Sequence, residues 1–242
     1  MTIQREIRIH TTVSDVAEAV AGEFISVVGG VQRLGKTPRV VLTGGTLGIA
    51  VLRATAQHPA AASIEWNNVD LFWGDERWLP DGDAERNDEQ AREAFLAPLA
   101  IGGDRVYRCP SPDSGLDLDQ AVARYASDIS WVWEEKTAFD LVFLGVGPDA
   151  HIASIFPGRT DLVEATEPVI GVRNSPKPPP ERLSLSRVAI NRAARVWLLI
   201  SGEAKREAYA HIINDDDALV APAASVEGQL QTIVFADTVV SD

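Results

Sequence analysis

The sequence predicts an α/β fold in which a doubly wound, mostly parallel sheet carries helices on both faces. Two observations support this prediction. Short apolar runs rich in Val, Leu and Phe are typical of strands buried on both faces of a parallel sheet. These runs alternate with segments whose apolar residues recur at helical spacing, which indicates βαβ units with right-handed crossovers. The chain of 242 residues contains no internal repeat or linker, so we expect a single domain spanning 1–242.

Apolar runs, together with one alternating segment near the start of the chain, predict the strands. They are expected at 4–9, 39–42, 69–73, 105–108, 139–144, 168–172, 195–200 and 232–235. A stiff proline-rich loop at 174–182 leads into the segment Leu183-Ser184-Leu185. The order of the strands within the sheet does not follow from the sequence.

Apolar residues at helical spacing predict the helices. They are expected at 16–31, 47–57, 87–96, 118–133 and 201–212, with a single helical turn at 154–156. Ser14-Asp15 is an N-cap signal for the first helix. The short turn is expected to stop at Pro157-Gly158, since proline and glycine end helices.

The composition is that of an ordinary globular protein, with 45% hydrophobic and 24% charged residues. No apolar run is long enough to span a bilayer, and residues 1–10 lack a signal-peptide core, so we expect a cytoplasmic protein. The single cysteine, Cys109, cannot form an internal disulfide, which agrees with a reducing compartment. The formal net charge of −13 disfavours nucleic acid and anionic membranes as partners. If the substrate is an anion, a few Arg and Lys side chains must gather around it against this overall charge. Basic residues in loops are therefore candidate substrate ligands.

The loop after the predicted strand 139–144 carries the strongest candidate for catalysis. In open α/β sheets, ligands bind beyond the carboxyl ends of the strands. Gly145 and Gly147 leave room for a ligand to approach the backbone, and Asp149 and His151 follow directly. An imidazole delivered there can act as a general base near neutral pH. The alternative is that His151 is a loop histidine that only hydrogen-bonds the backbone.

The turn Gly44-Gly45-Thr46 lies between a predicted strand and a helix. This arrangement points backbone N–H groups and a helix N-terminus at an anion, although most such turns bind nothing. The segment lacks the lysine of a P-loop and the spacing of a dinucleotide fingerprint, which disfavours nucleotides.

Charged residues also follow two other predicted strands. We expect Arg77 to hold an anionic substrate while Asp75 or Glu76 orients it, unless the segment is a solvated loop with a local ion pair. Lys205 stands near a helix start, where it opposes the helix dipole, which suggests that it responds to an anion. Asn87 has a simpler alternative as an N-cap. The proline-rich loop is expected to position Lys177 or Arg182.

Together these loops resemble the 6-phosphogluconolactonases, which belong to the glucosamine/galactosamine-6-phosphate isomerase superfamily. The resemblance spans nearly the whole chain and implies a Rossmann-like sheet of the sugar-phosphate isomerase type. The segments that carry it are Gly44-Gly45-Thr46, Asp75-Glu76-Arg77 with Pro80 and Asn87, residues 145–158, residues 176–185, and more weakly Gly202 and Lys205.

Two segments depart from the family pattern. Ala150 stands where the family usually has a glycine between the Asp and the His. The alanine restricts the backbone angles at this position, but the change removes no reactive group. Thr46-Leu47-Gly48 replaces a pattern close to Ser-Thr-Pro, so a serine hydroxyl and a helix-starting proline are missing. Phosphate binding through the N–H groups of Gly44 and Gly45 needs no side chain and is expected to survive.

The resemblance implies hydrolysis of 6-phospho-D-glucono-1,5-lactone to 6-phospho-D-gluconate in the oxidative pentose phosphate pathway. His151 would be the general base and Asp149 would orient it or its loop. The expected phosphate, oxyanion and substrate ligands are Gly44, Gly45, Thr46, Asp75, Arg77, Asn87, Gly147, Arg182 and Lys205. No metal or other cofactor is expected, and neither is a nucleic-acid or membrane partner. The protein is expected to be a monomer or a weak homo-oligomer.

Two alternatives remain open. The first is an aldose–ketose isomerase similar to glucosamine-6-phosphate deaminase. That family continues after the alanine with Phe-Asn-Glu-Pro, whereas this chain has Ser154-Ile155-Phe156-Pro157 and lacks the acid. The second is a non-catalytic sugar-phosphate sensor that keeps the pocket.

Overall fold

Residues 5–241 are described by the computed structural model, so residue 4 of the predicted first strand lies outside the described residues. The strands are β1 (Glu6–His10), β2 (Arg39–Leu42), β3 (Asp70–Trp73), β4 (Asp75–Arg77), β5 (Leu141–Gly145), β6 (Val169–Val172), β7 (Arg182–Leu185), β8 (Arg195–Ile200) and β9 (Gln231–Asp237). The α-helices are α1 (Val13–Arg33), α2 (Gly45–Gln57), α3 (Asn87–Ala91), α4 (Leu118–Asp128), α5 (Thr160–Val163), α6 (Arg187–Ile190), α7 (Arg206–Asn214) and α8 (Thr238–Ser241).

Six strands form a fully parallel main sheet in the order β1-β9-β8-β5-β2-β3. The central strand β5 pairs with β2 on one side and β8 on the other. Its residues Leu141 to Leu144 are at most 2% exposed, as expected for a strand covered on both faces. The predicted α/β class with a mostly parallel sheet is confirmed.

A second, smaller sheet differs from the prediction. Strands β4, β7 and β6 pair antiparallel, and β4 continues from β3 after Gly74. The run 168–172 was expected in the parallel sheet, but β6 pairs with β7, and the proline-rich loop joins the two strands. That loop is too short to contain the crossover helix that usually joins parallel neighbours, so the strands form a hairpin.

Three further expectations were wrong in detail. Residues 105–108 form one isolated bridge, between Val106 and Leu71, rather than a strand. The predicted helix 118–133 is α-helical only to Asp128 and continues as a 3-10 helix at Ser130–Glu134. The segment 154–156 is not helical, because Ile152 bridges to both Val146 and Ile155.

The first helix begins earlier than the sequence indicated. Thr12 rather than Ser14 is its N-cap: the Thr12 side chain accepts a hydrogen bond from the Asp15 backbone, and the Asp15 carboxylate accepts one from the Thr12 backbone. This capping box satisfies two N–H groups at the helix start. None of the described helices is both long enough and apolar enough to cross a membrane.

Aromatic packing ties the central strands to α1. The Phe143 ring on β5 meets Phe24 of α1 at 5.1 Å and Trp197 of β8 at 5.5 Å between centroids, both edge to face. Trp197 in turn packs on Phe235 of β9 at 5.3 Å. Edge-to-face pairs stabilise a fold by more than the burial of their apolar area alone. These contacts therefore help to hold β5, β8 and β9 in place.

The connections from β2 and β5 leave the sheet in opposite directions. From β2 the chain moves outward to β3, whereas from β5 it forms β6 and β7 of the second sheet and then returns to the main sheet as β8 on the other side of β5. Such a switch point leaves a crevice at the carboxyl ends of the two strands. The Gly145 N–H donates to Thr43 Oγ1 at 3.2 Å, which joins the ends of β5 and β2 across the floor of this crevice.

Candidate active site

A cavity of about 250 Å³ opens at this switch point. It brings together ten of the eleven predicted site residues. They are Gly44, Gly45, Thr46, Asp75, Arg77, Asn87, Gly147, His151, Arg182 and Lys205. The remaining one, Asp149, lies behind His151 and bonds its ring. We call this cavity the cleft.

Larger hollows lie elsewhere on the molecule. A groove of about 1090 Å³ occupies the amino edge of the main sheet. Two of its arginines are already paired, Arg39 with Glu135 at 2.5 Å and Arg105 with Asp70 at 2.9 Å. The volume of a cavity does not by itself show which one is the functional site. Basic side chains and glycine turns converge at the cleft, which therefore is the stronger candidate.

One wall of the cleft is the turn that starts α2. Gly44 is the N-cap of the helix, yet no side chain caps the first turn, so its N–H groups remain available to a ligand. A Cβ at Gly44 would stand 1.9 Å from Asn87 Oδ1, and Gly45 has φ +79°. Both positions therefore require glycine.

The opposite wall is the loop that carries His151. The Gly147 N–H donates to the His151 carbonyl at 2.9 Å, and the Ala150 N–H donates to the Gly147 carbonyl at 3.0 Å. This tight turn folds the imidazole back over Gly147, where a Cβ would lie 2.0 Å from His151 Nδ1. Ala150 adopts φ +61°. The alanine therefore occupies the left-handed conformation that favours glycine, and the turn forms nevertheless.

Three side chains form what we call the imidazole cluster: Asp149, His151 and Lys177. Asp149 Oδ1 lies 2.5 Å from His151 Nδ1 and 3.0 Å from Lys177 Nζ. Burial raises the pKa of the Asp149 carboxyl, but hydrogen bonds and charge from His151 and Lys177 outweigh it and hold that pKa well below its usual range. Asp149 is therefore an anion at neutral pH. The expected contact between Asp149 and His151 is present.

Asp75 and Asn87 form the side of the cleft next to Gly44. Asp75 is 7% exposed, and its Oδ2 accepts a hydrogen bond from Ser154 Oγ at 2.7 Å. Asn87 Nδ2 donates to the Asp75 carbonyl at 2.8 Å. Asn87 Oδ1 is buried and makes no hydrogen bond within the described part of the chain. Asn87 is the first residue of α3 rather than its N-cap, which is Arg86.

The three basic side chains that line the cleft differ in how many hydrogen bonds they already make to the protein. The buried Arg182 donates to the carbonyls of Lys177 at 3.1 Å and Pro178 at 3.0 Å, so it mainly holds the proline-rich loop. Arg77 Nη1 donates to the Glu85 carbonyl, while its Nε has no partner among residues 5–241. Lys205 lines the cleft, and burial, together with the charge of Lys177, lowers its pKa.

Glu76 does not face the cleft, which excludes it as the acid that orients the substrate. It is fully buried, and its carboxylate accepts hydrogen bonds from the backbone N–H groups of Arg77, Asn87 and Asp88 at 2.7–2.9 Å. Burial and the nearby Asp88 carboxylate raise the pKa of Glu76 to about 7, against the lowering effect of Arg86. We call Glu76, Arg86 and Asp88 the buried ion cluster.

Sequence reasoning missed one participant. Lys177 was seen only as a cation that the proline-rich loop positions, yet its Nζ lies 3.1 Å from His151 Nδ1. The pattern of prolines signalled a rigid loop, but no local signal shows which loop it meets. No group of three or more His, Cys, Asp or Glu side chains gathers as a metal site within residues 5–241.

Comparisons with known proteins identify the family of the chain. The family model for glucosamine-6-phosphate isomerases/6-phosphogluconolactonase matches residues 11–235. The chain belongs to this family. A 6-phosphogluconolactonase from Streptomyces coelicolor is 41% identical over 95% of this chain and 91% of its own. One from Mycobacterium tuberculosis is 39% identical over 93% and 92%.

The solved structure of 6-phosphogluconolactonase from Thermotoga maritima superimposes with a TM-score of 0.84 at 24% identity, covering 97% of this chain and all of that one. At that identity the likeness supports the fold alone. The family membership expected from the sequence motifs is confirmed by the family model and by the relatives from Streptomyces and Mycobacterium.

Proposed function

We propose that the protein hydrolyses 6-phospho-D-glucono-1,5-lactone to 6-phospho-D-gluconate, a step of the oxidative pentose phosphate pathway. The observation that carries the proposal is an imidazole whose Nδ1 meets a carboxylate, set in a cleft with basic side chains and an uncapped helix N-terminus. The motifs at these positions are those of a family whose members include 6-phosphogluconolactonases.

The phosphate of the substrate binds, in this proposal, to the N–H groups at the start of α2 and to Arg77 and Lys205. An anion is stabilised at a helix N-terminus by the unpaired N–H groups and the helix dipole. Local cations are needed because the chain as a whole carries −13. Binding energy from the phosphate then holds the reacting carbonyl in place. Asp75, Asn87, Thr46 and the backbone at Gly147 contact the sugar ring.

His151 is the general base. In this proposal Asp149 accepts a hydrogen bond from Nδ1–H, which leaves the lone pair on Nε2. Nε2 removes a proton from water while the water oxygen attacks the lactone carbonyl. The tetrahedral oxyanion collapses with cleavage of the ring C–O bond, and the imidazolium returns the proton to the departing alkoxide. No acyl-enzyme forms. The cations of the cleft stabilise the oxyanion.

No cofactor enters this mechanism. We also propose that residues 1–242 act as one domain in the cytoplasm, as a monomer or a weak homo-oligomer. The strongly negative net charge supports a small-molecule substrate rather than nucleic acid.

The test is hydrolysis of the lactone by His151→Ala, with spontaneous ring opening subtracted. Since a positioned base contributes on the order of 10²–10⁴-fold, kcat should fall by at least a hundredfold while the circular dichroism spectrum is unchanged. A loss of less than about tenfold would reject His151 as the base.

His211→Ala is the matched control, because His211 also has its Nδ1 2.5 Å from a carboxylate, that of Asp216, but lies outside the cleft. It should keep full activity. Wild-type protein is assayed with glucosamine 6-phosphate in parallel. Deamination of that substrate without lactone hydrolysis would replace the proposal with the isomerase reading, and tight binding without turnover of either substrate would support a sensor.

A further inference from the structure

Lys177 approaches the imidazole from the proline-rich loop and has no place in the mechanism so far. Its Nζ lies 3.0 Å from Asp149 Oδ1 and 3.1 Å from His151 Nδ1. Those two atoms are 2.5 Å apart. The three atoms thus lie within hydrogen-bonding distance of one another on the Nδ1 side of the ring. The other ring nitrogen, Nε2, is the one that would face the attacking water.

The backbone of Lys177 is fixed more firmly than is usual for a loop. Its carbonyl accepts hydrogen bonds from Ser175 Oγ at 2.8 Å and Arg182 Nη2 at 3.1 Å, and its N–H donates to Ser175 Oγ at 3.2 Å. The Ser175 N–H closes the loop on the Pro180 carbonyl at 2.9 Å. Lys177 therefore extends its ammonium toward Asp149 and His151 from a backbone that several hydrogen bonds hold in place.

The chemistry of the three groups constrains what Lys177 does there. An ammonium has donors only, and a neutral imidazole has one donor and one acceptor. If Asp149 accepts from Nδ1–H, Lys177 forms its hydrogen bond with the same carboxylate and only its charge acts on the ring. An imidazole beside an uncompensated carboxylate favours the protonated, cationic form, which cannot accept a proton from water.

We propose that Lys177 is a positioning residue of the hydrolysis: its ammonium balances the charge of Asp149, so that Asp149 orients His151 without holding it as imidazolium. The inference rests on the proposed function, since it concerns the same base. Other charged groups around the ring are Lys205 from the loop after β8, Arg182 from β7, and Asp75 and Arg77 from β4, which line the cleft. None of these has a recorded hydrogen bond to the ring within residues 5–241, so Lys177 and Asp149 set the local balance.

The first experiment measures the ring directly and does not depend on activity. Long-range ¹H–¹⁵N spectra of His151 are recorded across pH in wild type, Lys177→Met and Lys177→Arg. Removing the nearby positive charge should move the midpoint of ring protonation upward, because a like charge disfavours the cationic ring. Lys177→Arg keeps the charge and should stay close to wild type. An unmoved midpoint in Lys177→Met overturns the inference.

The second experiment follows kcat/KM for the lactone against pH. In Lys177→Met the acid limb should move to higher pH by the same interval, while the value at alkaline pH is retained. Lys136→Met, which removes a positive charge from the exposed surface, is the control and should leave the profile unchanged. A rise of KM at every pH without movement of the limb would make Lys177 a substrate ligand and overturn the inference.

The two proposals fail separately. If wild type does not hydrolyse the lactone, the proposed function fails, whatever the spectra show. If wild type is active but the spectra and pH profiles of Lys177→Met match it, only the role of Lys177 fails. A thermal unfolding curve for each variant shows whether a lost signal reflects unfolding.

Discussion

Two charged clusters flank the cleft, and they differ in burial and in the hydrogen bonds that they leave free. In the imidazole cluster, the side chains of Asp149, His151 and Lys177 are 14–36% exposed. In the buried ion cluster, those of Glu76 and Arg86 are at most 1% exposed, and Arg86 donates to Asp88 and to the carbonyls of Leu79 and Cys109.

The difference agrees with the chemical role that we propose for the imidazole cluster and with a structural role for the buried ion cluster. The buried ion cluster uses its donors and acceptors on the protein: Glu76 alone receives three backbone N–H groups. It fixes the junction of β4 with α3, which places Asn87 beside the Gly44 turn. The imidazole cluster keeps a ring nitrogen and ammonium hydrogens for other partners. Exposure with spare hydrogen-bonding capacity, rather than charge itself, distinguishes the side of the cleft on which we propose that the reaction takes place.

Breaking the buried ion cluster should have the largest effect on stability. Arg86→Met leaves Glu76 and Asp88 without their main buried partner, and removing one partner of a buried pair costs about 3–5 kcal/mol. We expect the free energy of unfolding, measured by urea denaturation, to fall by that amount. The folded fraction should retain the wild-type acid limb of kcat/KM, because no group of the imidazole cluster changes.

Arg124→Met is the control for Arg86. It removes an exposed arginine that pairs with Asp128 one helical turn away at 2.8 Å, and such pairs contribute less than about 1 kcal/mol. Equal losses in the two variants would show that the buried ion cluster is not the structural support we infer.

A methyl group under the imidazole should have the next largest effect, this time on activity. In Gly147→Ala the new Cβ would lie 2.0 Å from His151 Nδ1 and 2.6 Å from Asp149 Oδ1, so the ring must move. A displacement of about 1 Å in a catalytic group can cost on the order of 10²-fold in rate. Steady-state kinetics should show the loss mainly in kcat. Gly102→Ala, where the added methyl meets nothing within 4 Å, should behave as wild type.

The smallest effect is expected at Ala150, the departure from the family pattern. Replacement by glycine relieves a left-handed alanine, worth about 1–2 kcal/mol. It also removes a buried methyl group, which lowers the free energy of unfolding by about 0.8 kcal/mol. Glycine gives the unfolded chain more conformational freedom, which lowers the free energy of unfolding by a further ~0.4–1 kcal/mol. These contributions nearly cancel, so Ala150→Gly should unfold within about 1 kcal/mol of wild type. A larger gain in stability would mean that the turn is more strained than its φ indicates, whereas a larger loss would mean that the Ala150 methyl group contributes more than its buried area suggests.

The convergence of the site could be predicted because parallel strands present their carboxyl ends at one edge of a sheet. The loops after β2, β3, β5 and β8 were therefore expected to meet, and their glycines and charged residues line one cleft. The prediction could not choose between Asp75 and Glu76. Side chains alternate along a strand, so one of the two had to face away, and the pairing of β4 with β7 decided which.

The sequence by itself determined the fold class, the strands of the main sheet within a few residues, and the loops that carry the candidate site. These follow from hydrophobic period and glycine position, which act over a few neighbouring residues. Only the tertiary structure decided the strand order, the antiparallel second sheet, the burial of Glu76 and the approach of Lys177 to His151, 26 positions away in the chain. These depend on contacts between segments distant in sequence, and no local pattern specifies such contacts.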